Sequence, residues 1–331
     1  MRLSPIIALI VLMLALPMPA LAQSATPAAA SPSAAGGDFA GLVDIGDRAL
    51  YLECHGTGSP TVILVAGYRA SARFWSDDLL HPDAPRTMVL PGVAETTRVC
   101  AYDRPGTYAS IGDDDVVSRG DAVDQPRTAP EVVIELHALL EAAEVPGPYV
   151  LAGHSLGGFF ARLYAATYPD EVVGIVLVDA YSELLEQVMP PEKWAALVRL
   201  NQGLNADTVI PIPGYGDVET LSFGADNAVM REAVAASPLG PMPLAILAHG
   251  KPFALPEDAQ GLTAAEVEGY IRAENEAKAA LVPDARFFVA VASGHDIHQD
   301  QPALVTEAIR QVVAGVRNPD TWYDMSSCCT A

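Results

Sequence analysis

The sequence predicts an α/β fold in which helices cover both faces of a mostly parallel, twisted sheet. Three observations carry this. Short apolar runs of strand length alternate with longer segments of helical period, the pattern that a parallel sheet and its crossover helices produce. The turn Gly153-His154-Ser155-Leu156-Gly157 sits between one such run and one such helix. From Tyr181 to Pro243 the alternation lapses into mixed pieces that include Pro190-Pro191, Pro211, Pro213, Pro238 and Pro241, which reads as an inserted cap over 181–243.

Strands are expected near Leu50–Cys54, Thr61–Val65, Arg98–Tyr102, Tyr149–Ala152, Val172–Val178, Leu244–Ala248 and Arg286–Val291. Thr128-Ala129-Pro130-Glu131 has capping-box spacing and precedes Val132, Val133, Leu136, Leu139 and Leu140 on one helical face, so a crossover helix is expected there. Thr263 and Glu266 open a second helix reaching about Ala280, and Pro302 begins a last one to about Val316, since proline suits a first turn.

At the amino terminus Arg2 precedes an apolar run from Ile6 to Leu16, then Pro17, Pro19 and Ala20-Leu21-Ala22. This is the form of a secretory signal peptide over 1–22, cleaved before Gln23. The run is too short for a membrane-spanning helix, and an uncleaved anchor is the alternative. From Gln23 to Gly37 the chain is nearly all Ala, Ser, Pro, Thr and Gly. Such a composition cannot bury enough apolar surface to offset its ordering entropy. A flexible leader over 23–37 and a single domain over 38–331 are therefore expected, in a secreted or periplasmic protein without a lasting anchor.

The chain holds 19 basic against 41 acidic side chains, a net charge of −22. Nucleic acid is a poor partner for it, because phosphate binding is driven by Lys and Arg displacing counterions. Cys54, Cys100, Cys328 and Cys329 suit an oxidising compartment. Pairing of Cys54 with Cys100 is expected, with two buried thiols as the alternative; the terminal pair is unassigned. No His and Cys grouping has zinc-ligand spacing, so neither metal nor other cofactor is expected.

The turn at Ser155 has the G-x-S-x-G pattern in the context its chemistry needs. A strand ending Val150-Leu151-Ala152 precedes it, and a helix that stops before Pro169 follows. Small flanking residues let the backbone fold sharply enough to expose the hydroxyl. With Tyr102-Asp103-Arg104-Pro105-Gly106 after one strand and Ser293-Gly294-His295 after the last, the chain resembles the α/β-hydrolase superfamily, within it the serine esterase and peptidase group with a cap. The resemblance spans roughly Leu42 to Val316. It implies an α/β-hydrolase fold, Ser155 as nucleophile and His295 as base. His298 is the rival base, while the resemblance gives the place of His249 to the acid.

The commonest family pattern would set an Asp where Phe253 stands, so the acid is open between Asp179, ending a strand, and Asp258, deeper in a later loop. Asp179 is favoured, because some members carry the acid there. The resemblance places the oxyanion-hole amides at Leu156 and Tyr68; Ala66-Gly67 replaces the usual His-Gly before Tyr68. Tyr68, Trp75 and His154 are expected around the substrate pocket, with Arg69 and Phe74 beside them. His154 is expected to pack against the elbow and not to act as base.

These residues point to cleavage of a carboxylic ester, or of an amide, through an acyl-enzyme on Ser155. The substrate would be a small molecule, and no oligomeric state is read. An aminopeptidase would need an anchor for a substrate amine, for which Glu183, Glu186 and Glu219 are candidates. A cofactor-free perhydrolase, a carbon–carbon hydrolase and a non-catalytic ligand-binding protein of the same fold are the other readings. Serine at the elbow disfavours the dehalogenase and epoxide-hydrolase chemistry that the resemblance associates with aspartate.

Overall fold

A computed structural model of the chain describes residue 34 and residues 36–111, 114–202 and 211–323. The signal segment, most of the leader, Cys328 and Cys329 lie outside the described residues. The core is an eight-stranded sheet: β1 Phe39–Asp44, β2 Ala49–His55, β3 Thr61–Val65, β4 Val99–Tyr102, β5 Tyr149–His154, β6 Val172–Val178, β7 Leu244–His249 and β8 Arg286–Ala290. Their order across the sheet is β1-β2-β4-β3-β5-β6-β7-β8. β2 runs antiparallel to β1 and β4, and the other pairs are parallel.

All seven expected strands are present; the amino-terminal edge strand β1 is additional. The central strands are buried on both faces, which is why their sequences are continuous apolar runs. Ile63, Leu151, Ile175, Leu177 and Ile246 enter one apolar layer, whereas Val62, Leu64, Val150, Val176 and Leu247 enter the other. Each such side chain contributes roughly 1.5–3 kcal/mol by leaving water.

The first layer is covered by α1 Ala129–Ala142 and α2 Leu156–Thr167. α1 starts at the expected capping box, where the Thr128 amide donates to the Glu131 carboxylate at 2.7 Å. The second layer is covered largely by Val305, Ile309, Val312 and Val313 of a helix over Pro302–Arg317. Between β6 and β7 lies the cap, with α3 Pro191–Gln202 and α4 Phe223–Ala236. α5 Ala264–Ala279, which follows β7, also joins it, because Val267 packs with Leu185, Met189 and Ala196 in a separate apolar cluster. The cap thus draws on more of the chain than 181–243. No helix among the described residues is long and apolar enough to cross a membrane.

Among the described residues, some of the segment expected as leader makes ordered contacts. Ala34 is buried and its amide donates to the Ala143 carbonyl at 2.8 Å. Arg98 donates to the carbonyls of Ala34 and Gly37. A guanidinium that lacks a carboxylate partner draws this stretch onto the domain by taking its carbonyls as acceptors. Cys54 and Cys100 face each other across β2 and β4 and form a disulfide.

The bond joins positions 46 residues apart, so it restricts the unfolded chain considerably. Replacing both cysteines by alanine should lower the unfolding free energy by about 2–4 kcal/mol, read from urea titrations. An unchanged midpoint would mean that the strands hold without it.

Candidate active site

The carboxyl ends of β5, β6, β7 and β8 converge on one cavity. Ser155 follows β5 with φ 51° and ψ −122°, a left-handed conformation that a non-glycine residue adopts only where its surroundings impose it. Val178 of β6 accepts the Ser155 amide at 3.0 Å, and the Ser155 carbonyl accepts the Gly158 and Tyr181 amides, each at 3.0 Å. A Cβ on Gly157 would lie 2.0 Å from the Val65 carbonyl oxygen, so the helix can approach β3 only with glycine there.

Asp179 follows β6 with φ 42°, and its Oδ2 receives His295 Nδ1 at 2.6 Å. His295 lies on the loop after β8, where Asp300 accepts the Gly294 amide at 2.8 Å. Burial by itself would raise the Asp179 carboxyl; hydrogen bonds from His249 and His295 outweigh it and hold the group down at about 2. With Nδ1 engaged by Asp179, Nε2 is the second ring nitrogen of a side chain that lines the cavity. Ser155, Asp179 and His295 all line one cavity of about 820 Å³.

Asp258 is exposed, and its Oδ1 accepts the Gln260 amide at 3.3 Å within its own loop. It is not among the residues that line the cavity. The rival base His298 is 1% exposed, with burial pushing its imidazole down to about 3. Its ring packs in tilted contact with those of His154 at 4.1 Å and Trp75 at 4.7 Å, and it does not line the cavity.

Two pocket residues expected from the sequence are therefore displaced. Trp75 is fully buried in the apolar layer on the far face of the sheet. His154 is 4% exposed and packs against the rings of His295 and His298. Successive residues at the end of a strand project to opposite sides, so His154 turns away from the space Ser155 faces. Tyr68 does line the cavity.

The backbone around Tyr68 is set by a buried ion pair. Arg104, fully buried, donates to the Ala66 carbonyl at 2.8 Å and the Gly67 carbonyl at 2.5 Å. Its Nε meets Glu219 Oε1 at 2.6 Å, while Glu219 Oε2 accepts the Arg69 amide at 2.7 Å. Carbonyls pinned on both sides of Gly67 fix the peptide that carries the Tyr68 N–H. Leu156 is the first residue of α2, so its N–H has no partner within the helix. Tyr68 and Leu156, the two residues whose amides were expected to serve as oxyanion donors, both line the cavity with Ser155.

Glu219 is thus spent on Arg104. Glu183 is bound by Arg162 at 2.7 and 3.0 Å, and Glu186 by Arg231 at 2.7 Å. None of the three is free to anchor a substrate amine. His154, Asp296 and His298 bring ligand-type atoms within 4.8 Å of one another, the one such grouping among the described residues. A Cβ on Gly67 would lie 2.9 Å from His154 Nδ1, and His154 Nε2 is 3.1 Å from the His295 carbonyl, so neither nitrogen opens onto free space. Sequence reasoning missed the Arg104–Glu219 pair, and it missed His249, which reaches the same Asp179 oxygens at 2.8 Å.

A sequence model described as "Alpha/beta hydrolase family" matches residues 62–308. An uncharacterized protein of Schizosaccharomyces pombe is 35% identical over 40% of this chain, which spans about a quarter (26%) of that relative's length. An "AB hydrolase superfamily protein" of Gibberella zeae is 25% identical over 78% of this chain and 87% of its own. The solved structure of a thermophilic esterase from Thermogutta terrifontis superposes with TM-score 0.51 at 19% identity, covering 84% of this chain and 99% of that one.

Replacing Glu219 by alanine would leave Arg104 buried without a counter-charge. Urea unfolding should then show a loss of about 3–5 kcal/mol. A variant within about 1 kcal/mol of the parent would show that the pair is not needed to hold the turn before Tyr68.

Proposed function

This chain belongs to the alpha/beta hydrolase family, and we propose that it is an exported serine hydrolase that cleaves carboxylic esters through an acyl-enzyme on Ser155. The observation that carries the reading is the 2.6 Å contact of His295 Nδ1 with Asp179 beside a cavity that Ser155 also lines. A serine hydroxyl is a weak nucleophile at neutral pH and needs a base at hand. His295 Nε2 takes its proton as Ser155 Oγ attacks the ester carbonyl, and returns it to the departing alcohol. Asp179 keeps the proton of the neutral ring on Nδ1 and stabilises the imidazolium that forms. The amides of Tyr68 and Leu156 receive the oxyanion, a contribution worth about 100-fold or more per donor. Water then repeats the sequence on the acyl-enzyme.

The cavity walls include Leu197, Phe223, Leu255 and Ile271, so the substrate is an ester with an apolar acyl or alkyl part. Glu274 also reaches the cavity, but Lys278 neutralises it at 3.0 Å. With Glu183, Glu186 and Glu219 already paired, little remains to favour a peptidase. Export is supported by the amino-terminal pattern and by the disulfide, a bond that persists in oxidising compartments.

A fluorophosphonate probe should label the folded protein, and Ser155→Ala should abolish both labelling and ester turnover. Asp179→Asn should lower kcat by about 10³–10⁴, with Asp258→Asn close to the parent. Collapse of turnover in the second variant alone would overturn the assignment of the acid. The protein recovered from outside the cytoplasm should begin at Gln23, as read by mass spectrometry; an intact Met1 there would contradict cleavage.

A further inference from the structure

His249 ends β7 and is 7% exposed. Its Nδ1 lies 2.8 Å from both Asp179 oxygens, and its Nε2 lies 3.1 Å from Glu268 Oε2 on α5. A carboxylate faces each ring nitrogen. With both carboxylates ionised, both contacts are hydrogen bonds only if both nitrogens carry hydrogen, which is the imidazolium. Glu268 is itself fixed, its other oxygen accepting the Phe253 amide at 2.8 Å. The Phe253 ring covers the arrangement, 4.7 Å from His249 and 5.3 Å from His295.

The charged and titratable groups around His249 are few. Asp179 faces it from the end of β6 and Glu268 from α5; His295 lies across Asp179, and Lys251 points to solvent. The hydrogen bond to Asp179 raises the His249 imidazole above its ordinary value against the opposing effect of burial, and Glu268 adds to the rise.

Taking Ser155 and His295 in the roles given above, we propose that His249 is a positioning residue. It is an imidazolium clamped between Asp179 and Glu268 that fixes the Asp179 carboxylate and offsets part of its charge. Asp179, His249 and Glu268 together then carry one net negative charge, so His295 meets the field of about one carboxylate although two are near. The clamp is complete at and below the ordinary histidine value and is lost as pH rises through the raised one.

The test uses the full chain with p-nitrophenyl butyrate, kcat and KM being followed against pH and normalised to fluorophosphonate-reactive sites. In His249→Gln, kcat should fall about tenfold with KM changed less than about twofold. The acid limb of kcat/KM should move up by about half to one pH unit, because a carboxylate no longer offset favours the protonated base. In Glu268→Gln the alkaline fall of kcat should move to lower pH, since one of the two groups that raise His249 is gone. If both variants only lose reactive sites while their profiles superimpose on the parent's, His249 merely fills space and the proposal is overturned. Ser155→Ala separates the two readings: turnover surviving in it sinks the nucleophile itself. Its loss alongside superimposed profiles removes the role of His249 alone.

Discussion

A carboxylate at the end of a buried strand is tolerable only if donors surround it, and the arrangement at Asp179 follows from that constraint. Its two oxygens receive the His295 ring, the His249 ring and the His249 amide, the last at 3.1 Å. The residue accepts a left-handed backbone to reach them, a strain of order 1–3 kcal/mol that a charged network can offset. The parallel sheet makes this possible. β6, β7 and β8 are neighbours that end at the same level, so residues 70 and 116 positions away meet one carboxylate.

The cap and the sheet are joined by charge as well as by apolar packing. Gly106 accepts the Glu219 amide at 2.9 Å, and the Glu219 side chain reaches Arg104 and the turn before Tyr68. The segment that covers the cavity thus also shapes the peptide that precedes Tyr68, beside Ser155. The pair desolvates both ions fully, which costs more than most exposed pairs return. Its geometry is bidentate, which fixes direction as well as distance.

Much of this was legible in the sequence, and the divide is physical. The central strands announce themselves because burial on both faces demands unbroken apolar runs. β1 does not, because it is an edge strand whose residues alternate between exposed and half-buried except at the buried Val43, with Gly41 at its middle. Ser155 and His295 follow from local context, since a strand, a sharp turn and a helix are contiguous in sequence. The carboxylate partner of His295 could be narrowed to Asp179 or Asp258 but not decided locally, because the choice depends on which carboxylate lies behind a ring 116 residues away. Trp75 and His154 were misplaced for a related reason: nearness to a strand end in sequence leaves open the side to which a residue turns. Among 41 acidic residues, no local signal distinguishes Glu219 or Glu268 from a solvated carboxylate.

The two packed histidine rings behind the elbow have a cost of their own. His154 and His298 are held neutral, burial and neighbouring histidines pushing both below the ordinary value. Released by unfolding, each would bind a proton below the ordinary histidine range of about 6.5. Acidity therefore draws the chain toward the unfolded state through residues that never meet the substrate. The fold thus carries, directly behind Ser155, a built-in floor to the acidity it tolerates.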